Sequence, residues 1–144
     1  MNVLFVCTGN TCRSAMAEAI VRAKKLAHVN VRSAGIYAQS GEAMSMHAQA
    51  VLQQQAIAQT HVAHRLQEMD LQWAQVVIAM TAAHKDAILQ AAPQHASKLY
   101  TLHELASNST KDVRDPFGAS LAVYEQTFLE LKQAIEQLSF LKEY

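Results

Sequence analysis

The run Cys7-Thr8-Gly9-Asn10-Thr11-Cys12-Arg13-Ser14 sets a thiol and a guanidinium at the two ends of a short polar turn. Binding a tetrahedral oxyanion takes many donors and little apolar contact. The stretch from Thr8 to Ser14 can offer consecutive backbone N–H groups together with the amino end of a following helix. Gly9 eases the curvature, and Asn10 can tie the loop to itself. Arg13 adds a planar, bidentate grip on two oxygens that a lysine point charge would not reproduce. The same positive surroundings favour the thiolate of Cys7, and Ser14 is close enough in sequence to turn its hydroxyl toward that sulfur. These residue types describe an anion site with a nucleophile in its floor. The competing reading makes Cys7 a buried structural cysteine, Arg13 a surface cation and Ser14 only a helix cap; the strand-to-helix setting described below favours the first.

A thiolate that attacks phosphorus needs an acid for the departing atom. The polar interval 107–120 holds two candidates, Asp112 and Asp115, and Pro116 can stiffen the loop next to the second. Phe117 can form either a pocket wall or an internal anchor for that loop. No G-x-x-x-x-G-K-[ST] run occurs, and Gly9 alone makes no dinucleotide fingerprint, so ATP and NAD are unsupported and no cofactor is expected. No metal is expected either. Cys7 and Cys12 lack a second ligand group, and His47, His61, His64, His84 and His103 read as structural or surface residues.

The elements that must hold this turn follow from pattern. Val3-Leu4-Phe5-Val6 is a continuous apolar run, as in a strand covered on both faces, and it leads directly into Cys7. Residues 14–27 then carry apolar positions among good helix formers, with Glu18 and Arg22 an i,i+4 pair. Residues 28–34 read as a second strand, which completes a β-α-β unit with a right-handed crossover. A helix is expected over 42–57, or a shorter one capped by Ser45. Residues 67–75 form a short helix, 76–80 a third buried strand and 82–92 a helix capped by Thr81 and stopped near Pro93. Residues 98–102 read as a weaker edge strand, 107–120 as a loop and 121–141 as the last helix. The expected fold is a three-layer α/β sandwich. Its central sheet is four-stranded and mostly parallel, with a phosphate-binding loop after the first strand and a ligand crevice beyond the strands' carboxyl ends.

With 144 residues the chain suits one domain, 1–144. Only 17% of residues are charged, and 12 basic side chains balance 12 acidic ones, so no global field favours nucleic acid. No stretch approaches the ~18 apolar residues of a membrane span, and two cysteines make no secreted scaffold. A cytoplasmic protein with no membrane partner is expected. The sequence assigns no oligomeric state.

Val6-Cys7-Thr8-Gly9-Asn10-Thr11-Cys12-Arg13-Ser14 and Asp115-Pro116-Phe117-Gly118 resemble the phosphate loop and acid loop of low-molecular-weight protein tyrosine phosphatases. Ser33-Ala34-Gly35 and Ala79-Met80-Thr81 look like further segments of that family. The resemblance implies Cys7 as nucleophile, Arg13 as ligand of the phosphate and transition state, and Asp115 as general acid. It implies phosphorylated proteins as substrates and hydrolysis through a phosphocysteine. Thr11 stands where tyrosine-directed members commonly have isoleucine, and resembles the protein arginine phosphatase branch. The expected activity is therefore phosphoarginine hydrolysis. Phosphotyrosine hydrolysis is the alternative, followed by arsenate reduction and by a non-catalytic phosphate-binding or redox module. The resemblance also permits a reversible Cys7–Cys12 disulfide. Ala15 departs from the proline common there among relatives, which implies a loop less rigidly pre-set.

Overall fold

The computed structural model describes residues 1–142. Four strands, β1 (Asn2–Cys7), β2 (Asn30–Gly35), β3 (Val76–Ala79) and β4 (Leu99–Thr101), form one sheet in the order β2-β1-β3-β4. Every pairing is parallel, so the sheet is wholly parallel rather than mostly so. Val3, Leu4, Phe5 and Val6 are completely buried, as the apolar run requires of a strand with a neighbour on each edge and a layer on each face.

Strand alternation sorts the two layers. Val3, Phe5 and Cys7 pack with α1 (Arg13–Ala23), α2 (Met46–Gln54) and α6 (Leu121–Glu136), together with Ile78 of β3. Leu4 and Val6 point the other way, against Leu71 of α3 (Glu68–Trp73) and Ile88 of α4 (Ala82–Ala91). The parity that places Phe5 under α1 also delivers Cys7 to the amino end of that helix. The three layers are those expected.

Several boundaries differ from expectation for local reasons. α1 stops at Ala23 because Lys25 takes a left-handed conformation (φ 52°), and β2 starts at Asn30. The helix expected over 42–57 is the shorter, Ser45-capped one: the Ser45 hydroxyl accepts from Ala48 N–H at 3.3 Å, while Ala43 bridges Val62 instead. Thr81 caps α4 as expected, and Pro93 opens a short 3-10 turn, Pro93–Lys98. The helix expected over 121–141 ends at Glu136, followed by a 3-10 turn at Ser139–Leu141. A helix that the sequence reading left out, α5 (Leu102–Ser107), follows β4 directly. Its signal is a capping box in Thr101 and Glu104: Thr101 N–H donates to Glu104 Oε1 at 2.8 Å and Glu104 N–H to Thr101 Oγ1 at 3.2 Å.

Candidate active site

Cys7 ends β1 and Arg13 begins α1, so the turn between them sits beyond the carboxyl end of a central strand. Cys12 occupies the N-cap of α1 without a side-chain cap. Among the described residues, the N–H groups from Thr8 to Ser14 donate to no other backbone group, which leaves these donors available to an anion. The left-handed residue of the turn is Asn10 (φ 56°), while Gly9, expected to ease the curvature, is not in the positive-φ region. Asparagine tolerates that geometry, and its side chain is fully engaged here.

Asn10 is completely buried. Its Oδ1 accepts from His64 N–H at 2.9 Å, which fixes the amide orientation. Its Nδ2 therefore donates both protons, to Ser14 Oγ at 2.8 Å and Ser33 Oγ at 2.9 Å. Ser33 passes its own proton to Glu18 Oε1 at 2.6 Å. Since Ser14 Oγ already accepts from Asn10, its single proton is free for Cys7 Sγ, 2.8 Å away. With Cys7 ionised, that hydroxyl is the donor at the sulfur. His61 adds a ring nitrogen 2.7 Å from the Asn10 carbonyl oxygen. Gly35 closes the arrangement from β2: a Cβ there would lie 2.6 Å from the Thr8 carbonyl oxygen and 2.8 Å from Asn10 N, so only glycine permits the approach.

Arg13 is buried, donating to the Val113 carbonyl oxygen at 3.1 Å and, through the other terminal nitrogen, to Thr8 Oγ1 at 3.4 Å. The same nitrogen lies 3.6 Å from Asp115 Oδ2. His84 bonds Thr8 Oγ1 at 2.8 Å and Thr81 Oγ1 at 2.9 Å, linking the loop to the start of α4. Burial, and after it the Arg13 guanidinium, push His84 down from 6.5 to about 4. At neutral pH this imidazole is uncharged beside the arginine.

The acid loop starts from a fixed point, because fully buried Val113 donates its N–H to the Met80 carbonyl oxygen at 2.9 Å. The two candidate acids then separate. Asp112 accepts from Ala82 N–H at 2.8 Å and serves the amino end of α4. Asp115 lines the cleft, with its side chain 54% exposed and Oδ1 accepting from Phe117 N–H at 3.0 Å. Phe117 is 78% exposed, which excludes the internal-anchor reading.

Cys7, Thr8, Gly9, Thr11, Cys12, Arg13, Asp115 and Phe117 together line a cleft of about 280 Å³. Asn10 and Ser14 lie beneath it as supports. Glu42, which the sequence reading did not single out, also lines it. A larger cavity of about 570 Å³ opens behind the loop, lined by Glu18, Ser33 and His61 among others, but it contains no thiol. Cys7 and Cys12 are both free thiols; Cys12 Sγ lies 3.3 Å from the Tyr124 hydroxyl and 3.4 Å from Ser45 Oγ. Burial and the hydrogen bond with Cys12 raise Tyr124 to about 12, so its hydroxyl stays protonated. Among the described residues no helix is long and apolar enough to cross a membrane.

The arrangement combines a thiol beside a serine hydroxyl, an arginine at a helix start and an exposed carboxylate at one small cleft. Those are the parts required for covalent phosphoryl transfer. Comparison with known proteins agrees. A protein-arginine-phosphatase of Geobacillus stearothermophilus is 42% identical over 137 residues, covering 95% of this chain and 93% of its own. One from Bacillus subtilis (strain 168) is 42% identical over 142 residues, with 96% and 95% covered. The solved structure of the YwlE arginine phosphatase from Geobacillus stearothermophilus superposes with a TM-score of 0.94 at 42% identity, covering 95% of this chain and 89% of that one. The family profile described as low molecular weight phosphotyrosine protein phosphatase matches residues 2–143, and the chain belongs to that family of cysteine-dependent phosphatases.

Proposed function

We propose that residues 1–144 act as one phosphatase domain that hydrolyses phosphoarginine on proteins through a phosphocysteine intermediate. The substrate assignment rests on the 42% identity to proteins named protein-arginine-phosphatases over almost the whole chain. Thr11 at the cleft supports it, since a hydroxyl of modest bulk suits a planar charged guanidinium better than a branched aliphatic side chain would.

In the first step the Cys7 thiolate attacks phosphorus in line, an S–P bond forms and the N–P bond breaks. Asp115 gives its proton to the departing guanidine nitrogen. Arg13 and the N–H groups of Thr8 to Ser14 hold the three equatorial oxygens, where charge accumulates in the transition state. In the second step Asp115, now ionised, takes a proton from water as it attacks the phosphocysteine. The S–P bond breaks, and inorganic phosphate leaves a thiolate stabilised by Ser14. A thiolate nucleophile suits a reducing cytoplasm.

Phosphotyrosine hydrolysis by the same residues is the second reading, favoured by exposed Phe117, against which an aromatic ring could stack. Initial rates on matched phosphoarginine and phosphotyrosine peptides under reducing, metal-free conditions, with Cys7→Ser as blank, separate the two. Preference for phosphoarginine that depends on Cys7 is expected. Preference for phosphotyrosine would overturn the specificity and leave the mechanism, and comparable turnover by Cys7→Ser would overturn the nucleophile.

A further inference from the structure

We propose that Glu42 is a specificity-determining residue: its carboxylate, at the lining of the same cleft, recognises the guanidinium of phosphoarginine. The proposal rests on the phosphoarginine reading above and deepens it. Glu42 is exposed and lines the cleft that holds Cys7, Thr11, Arg13 and Asp115. Among the described residues its carboxylate enters no ion pair, whereas Asp115, the other acid of the cleft, already faces Arg13 at 3.6 Å.

The backbone holds Glu42 in place. Its carbonyl oxygen accepts from Ala63 N–H at 2.7 Å, and Gly41 N–H donates to the Ala63 carbonyl oxygen at 2.8 Å. Gly41 has φ 94°, a conformation that favours glycine, and Ala43, on the other side of Glu42, bridges Val62. Ser45 N–H then donates to the Thr11 carbonyl oxygen at 3.0 Å, which ties this rim to the phosphate loop.

A carboxylate beside a phosphate-binding cleft repels the dianion that must enter, so it benefits a substrate only if that substrate carries a compensating cation. Phosphoarginine does: the two nitrogens not bonded to phosphorus keep the guanidinium charge and present a planar fork of N–H donors to a carboxylate. Phosphotyrosine offers only a neutral ring at that depth. Glu42 therefore attracts one substrate and disfavours the other.

The test measures kcat and KM for wild type, Glu42→Gln and Glu42→Asp on matched phosphoarginine and phosphotyrosine peptides that contain no other basic residue. The expected result is a fall of about two- to fivefold in the phosphoarginine-to-phosphotyrosine ratio of kcat/KM for Glu42→Gln, carried by KM, roughly the worth of one exposed ion pair. Glu42→Asp should retain most of the ratio. An unchanged ratio in Glu42→Gln, with wild type preferring phosphoarginine, would overturn the proposal alone. A wild type that turns over only phosphotyrosine would overturn the substrate reading and this proposal with it.

Discussion

At the scale of single residues, the two aspartates of the acid loop show how a contact separates roles that sequence leaves open. Asp112 and Asp115 lie three positions apart, yet one holds the Ala82 N–H and the other an edge of the cleft. Asp115→Asn is expected to lower kcat on phosphoarginine by about 10²- to 10⁴-fold, the usual worth of general acid–base catalysis. Asp112→Ala should cost about 1 kcal/mol of stability through the lost acceptor and leave kcat within about twofold. Steady-state kinetics beside urea melts would reveal the reverse assignment at once. Ser14 permits a sharper prediction. Its oxygen accepts from Asn10 and lies 2.8 Å from Cys7 Sγ, so once Cys7 is ionised the Ser14 hydroxyl is the donor; Ser14→Ala removes it and leaves one Asn10 N–H unpaired. kcat is expected to fall about 10- to 100-fold with little change in KM, since the leaving thiolate of the second step loses its stabilisation. Burst kinetics should show accumulated phosphoenzyme, and a loss confined to KM would contradict the role.

At the scale of elements, the phosphate loop is shaped less by its own glycine than by β2. The notable close approach is at Gly35, where any Cβ would run into the Thr8 carbonyl oxygen, Asn10 N and Ala38 Cβ, the last at 2.9 Å. Two of these contacts are backbone atoms, so neither can rotate away. Gly35→Ala is expected to cost about 2–4 kcal/mol, in the range of overpacked cores, and to lower kcat because the loop must move. Normal activity and stability in that variant would mean the loop is looser than Asn10 and its partners imply. The stretch Ser33-Ala34-Gly35 was visible in the sequence as a strand end before a turn, but its reason was not: the neighbour it touches lies more than twenty positions away. Strand β1, the Cys7–Ser14 turn and the caps at Ser45 and Thr81 were legible because each is written in adjacent residues. The capping box of α5 was equally local, and went unread because 98–102 looked like a strand running to its end. The positive φ of Asn10 was not legible, since sequence alone does not say which residue of the turn is left-handed.

At the scale of the whole molecule, the strand order β2-β1-β3-β4 sends the first crossover to one side of β1 and the later ones to the other, and the cleft opens where those directions diverge. Chain segments far apart in sequence meet there: the loop after β1, the rim at Glu42, the region of His61 and His64, the start of α4 and the acid loop. Local pattern reveals the first and last of these, which contain the reactive groups. It hides the reach of the middle three: Glu42 looks like any surface acid, and His61, His64 and His84 look like any surface histidine until the crossovers bring them to Asn10 and Thr8. His84 makes this convergence measurable in solution. The unfolded chain takes up a proton on this histidine near pH 6.5, while the folded protein refuses it until about 4. The unfolded state therefore binds more protons between those values, and stability falls as pH drops from 6.5 toward 4, by up to ~3 kcal/mol from this group. Above pH 6.5 both states are neutral, so the dependence on pH vanishes and the stability tied to neutral His84 is fully present. His84→Asn removes the titration, so thermal melts of the two proteins should differ most near pH 7, where the native hydrogen bonds are intact, and converge as pH falls to about 4. Carboxylates such as Glu68 and Glu104, both lowered in the folded state, titrate in both proteins and cancel in the comparison. Parallel melting curves across that range would show that burial beside Arg13 does not hold His84 neutral.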